Sequence, residues 1–162
     1  MRRLDFVAAF AALLGTTAIA VAQDQIARGA YLAAIMDCAG CHTPGVMLGK
    51  PDFSRALAGS EVGFHIPGLG IFYPPNLTPD EKTGLGSWTE EEIIAAVRTG
   101  ARPDGRVLAP IMPWRSYAAL NDSDAHALAK YLKSVKPVSH RVPAITGASE
   151  KPAAPFLAVT MP

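Results

Sequence analysis

Three stretches of the chain repeat apolar residues at helical spacing. Between Thr89 and Thr99, Ile93, Ile94 and Val97 form one apolar face. Thr89 to Glu92 reads as a capping box at its start, and Gly100 is the stop. Between Ser123 and Val135, Ala125, Leu128, Ala129, Leu132 and Val135 recur on one side, and Pro137 closes the run. A shorter stripe of Ile26, Ala30, Ala33 and Ala34, with Tyr31 and Ile35 beside it, predicts a helix over Asp24 to Asp37. Residues 43–87 show neither period and are rich in Gly and Pro, and strand-like runs are few. The pattern therefore predicts an all-α domain of three to five helices joined by long Gly/Pro-rich loops. Residues 138–162 are rich in Pro and Ala and read as an extended tail.

The first residues change the picture. Arg2 and Arg3 precede an apolar run from Phe6 to Ala22, and Ala20-Val21-Ala22 fits the small-x-small cleavage pattern. At about 17 residues the run is at the bottom of the range that spans a bilayer. Residues 1–22 are therefore expected to be a cleaved signal peptide rather than a retained anchor. Export implies a periplasmic, oxidising setting. Of the 15 basic and 14 acidic residues, Arg2, Arg3 and Asp5 fall in this leader, so the remainder balances at 13 of each. A near-neutral domain of about 140 residues lacks the clustered basic face that nucleic acid requires.

Both cysteines stand in Met36-Asp-Cys-Ala-Gly-Cys-His-Thr-Pro-Gly45. A redox dithiol of this spacing belongs with alternating strands and helices, which the pattern does not offer. Zinc needs four ligands, yet His65, His126 and His140 are scattered. A disulfide between Cys38 and Cys41 closes almost no loop and stabilises little. The remaining reading is covalent attachment of one c-type haem, for which C-x-x-C-H is the recognised pattern. Cys38 and Cys41 lie within one helical turn and each can form a thioether to a vinyl group. His42 then supplies the proximal nitrogen.

A low-spin electron-transfer haem needs a sixth ligand, and Met47, His65, Met112, His126, His140 and Met161 are the candidates. Met112 is favoured because Pro110 and Pro113 restrict the backbone on both sides. Met47 is too close to His42 in sequence to reach the opposite face of the ring. The loop 43–87 is long for a compact domain, but it can wrap a haem edge. Within it and just after it, Tyr73, Asn76 and Trp88 are candidate donors to the propionates. The competing reading is that Asn76 makes a turn and Trp88 packs on the next helix.

Three segments, running from Arg28 to Pro44, from Asn76 to Trp114 and from Tyr117 to Val138, resemble the haem domains of cytochrome c subunits of bacterial membrane-associated alcohol and gluconate dehydrogenases. Similar domains occur with molybdenum hydroxylases. The resemblance covers about residues 27 to 138, within a cytochrome c domain taken as 23–137. It implies a class I cytochrome c fold with His42 and Met112 as axial ligands and a crossing of first and last helices near Gly29 and Tyr131. Those subunits carry three CxxCH motifs and this chain carries one, so one haem is expected. The expected role is electron transfer from a periplasmic or membrane-associated dehydrogenase to another cytochrome or a terminal oxidase. The alternative is a haem enzyme or gas sensor with an open or displaceable sixth position.

Overall fold

In the computed structural model, residues 23–160 are described, so the expected leader 1–22 and Met161 lie outside the described residues. Helix α1 covers residues 23–35. It stops two residues earlier than its apolar stripe suggested, because Asp37 takes a left-handed conformation (φ 52°) that turns the chain into α2, Cys38–His42. Helix α3, Glu90–Thr99, has the expected capping box: Thr89 N donates to Glu92 Oε2 at 2.8 Å and Glu92 N to Thr89 Oγ1 at 3.1 Å. Helix α4 is the single turn Trp114–Tyr117. Helix α5, Asp122–Ser134, begins one residue before the expected start, because Asn121 caps it through Asp124 N at 2.8 Å. Among the described residues no helix is long and apolar enough to cross a membrane.

The helices pack as their apolar faces require. Leu32 and Ala33 of α1, Ile93 of α3, and Ala127, Leu128, Ala129 and Leu132 of α5 form one core with Leu57 and Leu85. Gly29 of α1 lies against the backbone of Ala127, and a Cβ built on it would sit 2.6 Å from Tyr131 Cβ. This is the α1–α5 crossing that the resemblance implied, and glycine allows it because there is no room for a side chain. Arg28 clamps the crossing by bonding both oxygens of Asp124, at 2.8 and 3.0 Å.

The all-α expectation is corrected by a four-stranded mixed sheet. Strand β1, Gly63–Ile66, and β2, Gly70–Phe72, form an antiparallel hairpin with His65 opposite Ile71. Strand β3, Thr146–Gly147, pairs antiparallel with β2, and β4, Phe156–Leu157, pairs parallel with β1. The order is β3-β2-β1-β4. Strands of two to four residues are too short to display a readable alternation, and two of them come from the distant tail. A local signal was present in Ile66-Pro-Gly-Leu-Gly70, a turn sequence between two apolar runs. Gly70 has φ 118°, and a Cβ there would run into the carbonyl of Thr146 on β3. The loop 43–87 thus contains the hairpin and two single 3-10 turns, Val46–Leu48 and Phe53–Arg55.

Candidate haem-binding site

A cavity of about 930 Å³ opens between α2, the segment 72–77, the loop joining α3 to α4, and the tail. That is near the top of the usual range for small-molecule sites, about 300–1,000 Å³. Cys38, Cys41, His42 and Met112 all line it, and so do Tyr73, Asn76 and Trp88. Its floor is shared with the core, because Leu85, Ile93, Leu128 and Leu132 belong to both.

The short helix α2 brings the CxxCH residues together on this cavity. His42 is buried, and its Nδ1 lies 2.7 Å from Pro75 O. A carbonyl only accepts, so Nδ1 carries the proton and Nε2 is the nitrogen available to a metal. Burial pushes the imidazole pKa down, against a smaller upward pull from the Pro75 bond, so the ring is held neutral. That is the ligating form, and a carbonyl on the far nitrogen is the usual support of a metal-bound histidine.

Cys38 and Cys41 are free thiols. Burial raises the Cys38 pKa to about 11, and burial also raises that of Cys41. A redox dithiol needs the opposite, a stabilised thiolate. Among the described residues no three His, Cys, Asp or Glu side chains cluster as a metal site. Two unpaired thiols, a neutral imidazole with one open nitrogen, and a thioether on one largely apolar cavity are the donor set a covalently held haem requires.

Met112 is carried by a loop with many internal ties. Leu108 N donates to Gly100 O at 2.8 Å, Arg102 N to Arg106 O at 3.0 Å, and Met112 N to Ala109 O at 3.0 Å. The Trp114 indole donates to Leu108 O at 3.3 Å. The other ligand candidates are engaged elsewhere. His65 packs edge-on against Phe156, His126 lies 3.8 Å from Glu90, and His140 Nδ1 is 2.8 Å from Ala58 O. Met47 is not among the residues that line the cavity.

The three candidate propionate donors differ in what they do within the chain. Tyr73 Oη donates to Ala154 O at 3.3 Å. The Asn76 amide donates to Thr83 Oγ1 at 3.1 Å and to Val138 O at 2.7 Å. Trp88 packs against the core, with the Arg102 guanidinium 5.2 Å over its ring. Sequence reasoning missed the arginines: Arg102, Arg106 and Arg141 also line the cavity. Arg102 and Arg106 share Asp104, and the Arg106 hydrogen bond above all brings that carboxyl down to about 2. The signal was Arg102-Pro-Asp-Gly-Arg106, two cations around a turn with one carboxylate between them.

Residues 26–136 match the family model of cytochrome c. The chain is similar to the cytochrome c subunit of a quinone-dependent alcohol dehydrogenase from Gluconobacter oxydans, 38% identical over 80% of this chain and 27% of that protein. It is 40% identical to the fructose dehydrogenase cytochrome subunit of Gluconobacter japonicus, over 70% of this chain and 22% of that protein. It is 38% identical to the gluconate 2-dehydrogenase cytochrome c subunit of Pantoea cypripedii, over 80% and 29%. The chain spans less than a third of the length of these relatives. The C-x-x-C-H turn on its cavity and the match over most of the chain lead to one conclusion: this chain belongs to the cytochrome c family, electron-transfer proteins that bind haem c covalently.

Proposed function

We propose that this chain is a periplasmic single-haem cytochrome c that takes electrons from a partner dehydrogenase and passes them to a downstream cytochrome or a terminal oxidase. The observation that carries the reading is the convergence of Cys38, Cys41, His42 and Met112 on one largely apolar cavity. Cys38 and Cys41 would hold the haem by thioethers, and His42 Nε2 and Met112 Sδ would ligate its iron. Bound there, haem supplies a one-electron ferric/ferrous couple. The chain sets the conditions for that couple. Pro75 O fixes the His42 tautomer, the pinned loop 100–113 carries the thioether, and Leu85, Ile93, Leu128 and Leu132 give the cavity an apolar wall that would keep water from a bound haem. A thioether favours the ferrous state, which suits a carrier feeding a high-potential acceptor.

The single CxxCH motif supports one haem. A dehydrogenase donor is supported by the relatives, whose names include alcohol, fructose and gluconate dehydrogenases. Residues 1–22 serve as the leader, 23–137 hold the attachment and ligand residues, and the tail adds residues 141–145 to the cavity lining. The test is the mass and absorption spectrum of protein recovered from the periplasm. One covalently added haem with low-spin bands and a weak absorption at the red edge supports the reading. Unmodified cysteines would end it, and a high-spin spectrum with rapid carbon monoxide binding would favour a haem enzyme or sensor.

A further inference from the structure

The segment Asn76-Leu-Thr-Pro-Asp-Glu-Lys-Thr83 does more than turn the chain. Asn76 is 1% exposed, so each polar atom of its amide must find a partner inside the protein. Its Oδ1 accepts from Thr78 N at 2.9 Å and from Thr78 Oγ1 at 2.7 Å. Its Nδ2 donates to Thr83 Oγ1 and, across 62 positions of sequence, to Val138 O at 2.7 Å. Along the same seam Val138 N donates to Thr78 Oγ1 at 3.0 Å, and His140 N donates to Thr83 Oγ1 at 3.1 Å. Three side chains of one short segment therefore grip the main chain of 138–140. Directly beyond the grip, Arg141, Val142, Pro143, Ala144 and Ile145 line the cavity, and Thr146 then enters the sheet as part of β3. On the other flank of Asn76, Pro75 O holds His42.

We propose that residues 138–145 are a strap forming one wall of the haem site, and that Asn76, with Thr78 and Thr83, is the positioning residue that latches it. The proposal rests on the haem reading above. A seated strap keeps water from that side of the cavity. Water stabilises the more highly charged ferric state, so releasing the strap lowers the reduction potential. Asn76 thus acts on the haem through residues 138–145 rather than as a propionate donor.

The test uses the full-length holoprotein, checked first by mass for covalent haem, so that failure of the haem reading is seen before the strap is examined. Two variants release the strap from opposite sides. Asn76→Ala removes the latch, and Val138→Pro deletes the N–H given to Thr78 without altering residues 75–83. Trypsin reports on the strap directly: Arg141 precedes Val142, whereas Lys136 and Lys151 each precede proline. Val138→Pro removes one hydrogen bond and should speed cutting at Arg141 about tenfold, and Asn76→Ala, which removes several, at least as much. Both variants should show this together with a lower potential. Unchanged cutting and potential in both overturn the proposal. So does an effect of Asn76→Ala alone, which would run through Pro75 and His42. If neither variant accumulates as holoprotein, wild type is nicked at Arg141 with excess trypsin. A fall in potential on nicking supports the strap, and an unchanged potential overturns it.

Discussion

Met112 is the residue on which the choice between carrier and open-site haem protein turns. Its loop is tied internally at Gly100, Arg102 and Leu108, so replacing the side chain should change the ligand and leave the backbone in place. Met112→Ala is expected to leave a vacant or water-bound position, turn the spectrum high-spin and admit carbon monoxide. Met112→His should stay low-spin with a lower potential. Met47→Ala should do neither, and absorption spectra of the three variants with and without carbon monoxide decide it. The candidates Cys38, Cys41, His42 and Met112, which the fold brings to one cavity, were offered by the sequence because their chemistry is local. Thioether attachment needs two cysteines and a histidine within one helical turn, and the prolines on either side of Met112 announce a held side chain. The partners of Asn76 and Tyr73 were not legible, because they lie 62 and 81 positions away. Nothing in the spacing around an asparagine says which distant carbonyl it will meet.

The same divide separates the elements. Helices α3 and α5 could be read closely because their caps, Thr89 with Glu92 and Asn121 with Asp124, are bonds within one turn. The sheet escaped because β3 and β4 are two-residue strands that exist only by pairing with a hairpin more than 70 positions away. The α1–α5 crossing can be tested at two points. At Gly29 any Cβ meets the Ala127 backbone and Tyr131 Cβ, so Gly29→Ala must push two helices apart. It is expected to cost about 1–3 kcal/mol by overpacking, measured as a fall in thermal or denaturant midpoint. At the other point, the Arg28 hydrogen bond holds the Asp124 carboxyl below the usual carboxylate range. A depressed folded-state pKa stabilises the fold above the unfolded value, and that contribution is lost as pH falls through the folded value. The holoprotein should therefore lose stability on acidification below about pH 4. Asp124→Asn should be weaker at neutral pH and flatter across that window, and melting curves from pH 7 downward would reveal a parallel response if the pair were idle.

At the scale of the whole molecule, core and cavity are not separate. Leu85, Ile93, Leu128 and Leu132 face the other core residues on one side and the cavity on the other. Without the haem, the apolar faces of Leu85, Ile93, Leu128 and Leu132 that line the cavity lose their packing partner. A small domain has only about 5–15 kcal/mol of stability in total. A haem-free chain is therefore expected to lose this arrangement, its helices collapsing into the cavity or separating. The Cys38→Ala/Cys41→Ala double variant, purified without haem, should show no cooperative thermal transition and no fixed near-ultraviolet dichroism, while its far-ultraviolet signal retains some helix. The holoprotein under the same conditions should melt in a single sharp step. A sharp melt of the haem-free variant at the holoprotein's temperature would mean that the polypeptide core alone closes the fold, and that the haem is a guest in it rather than a part.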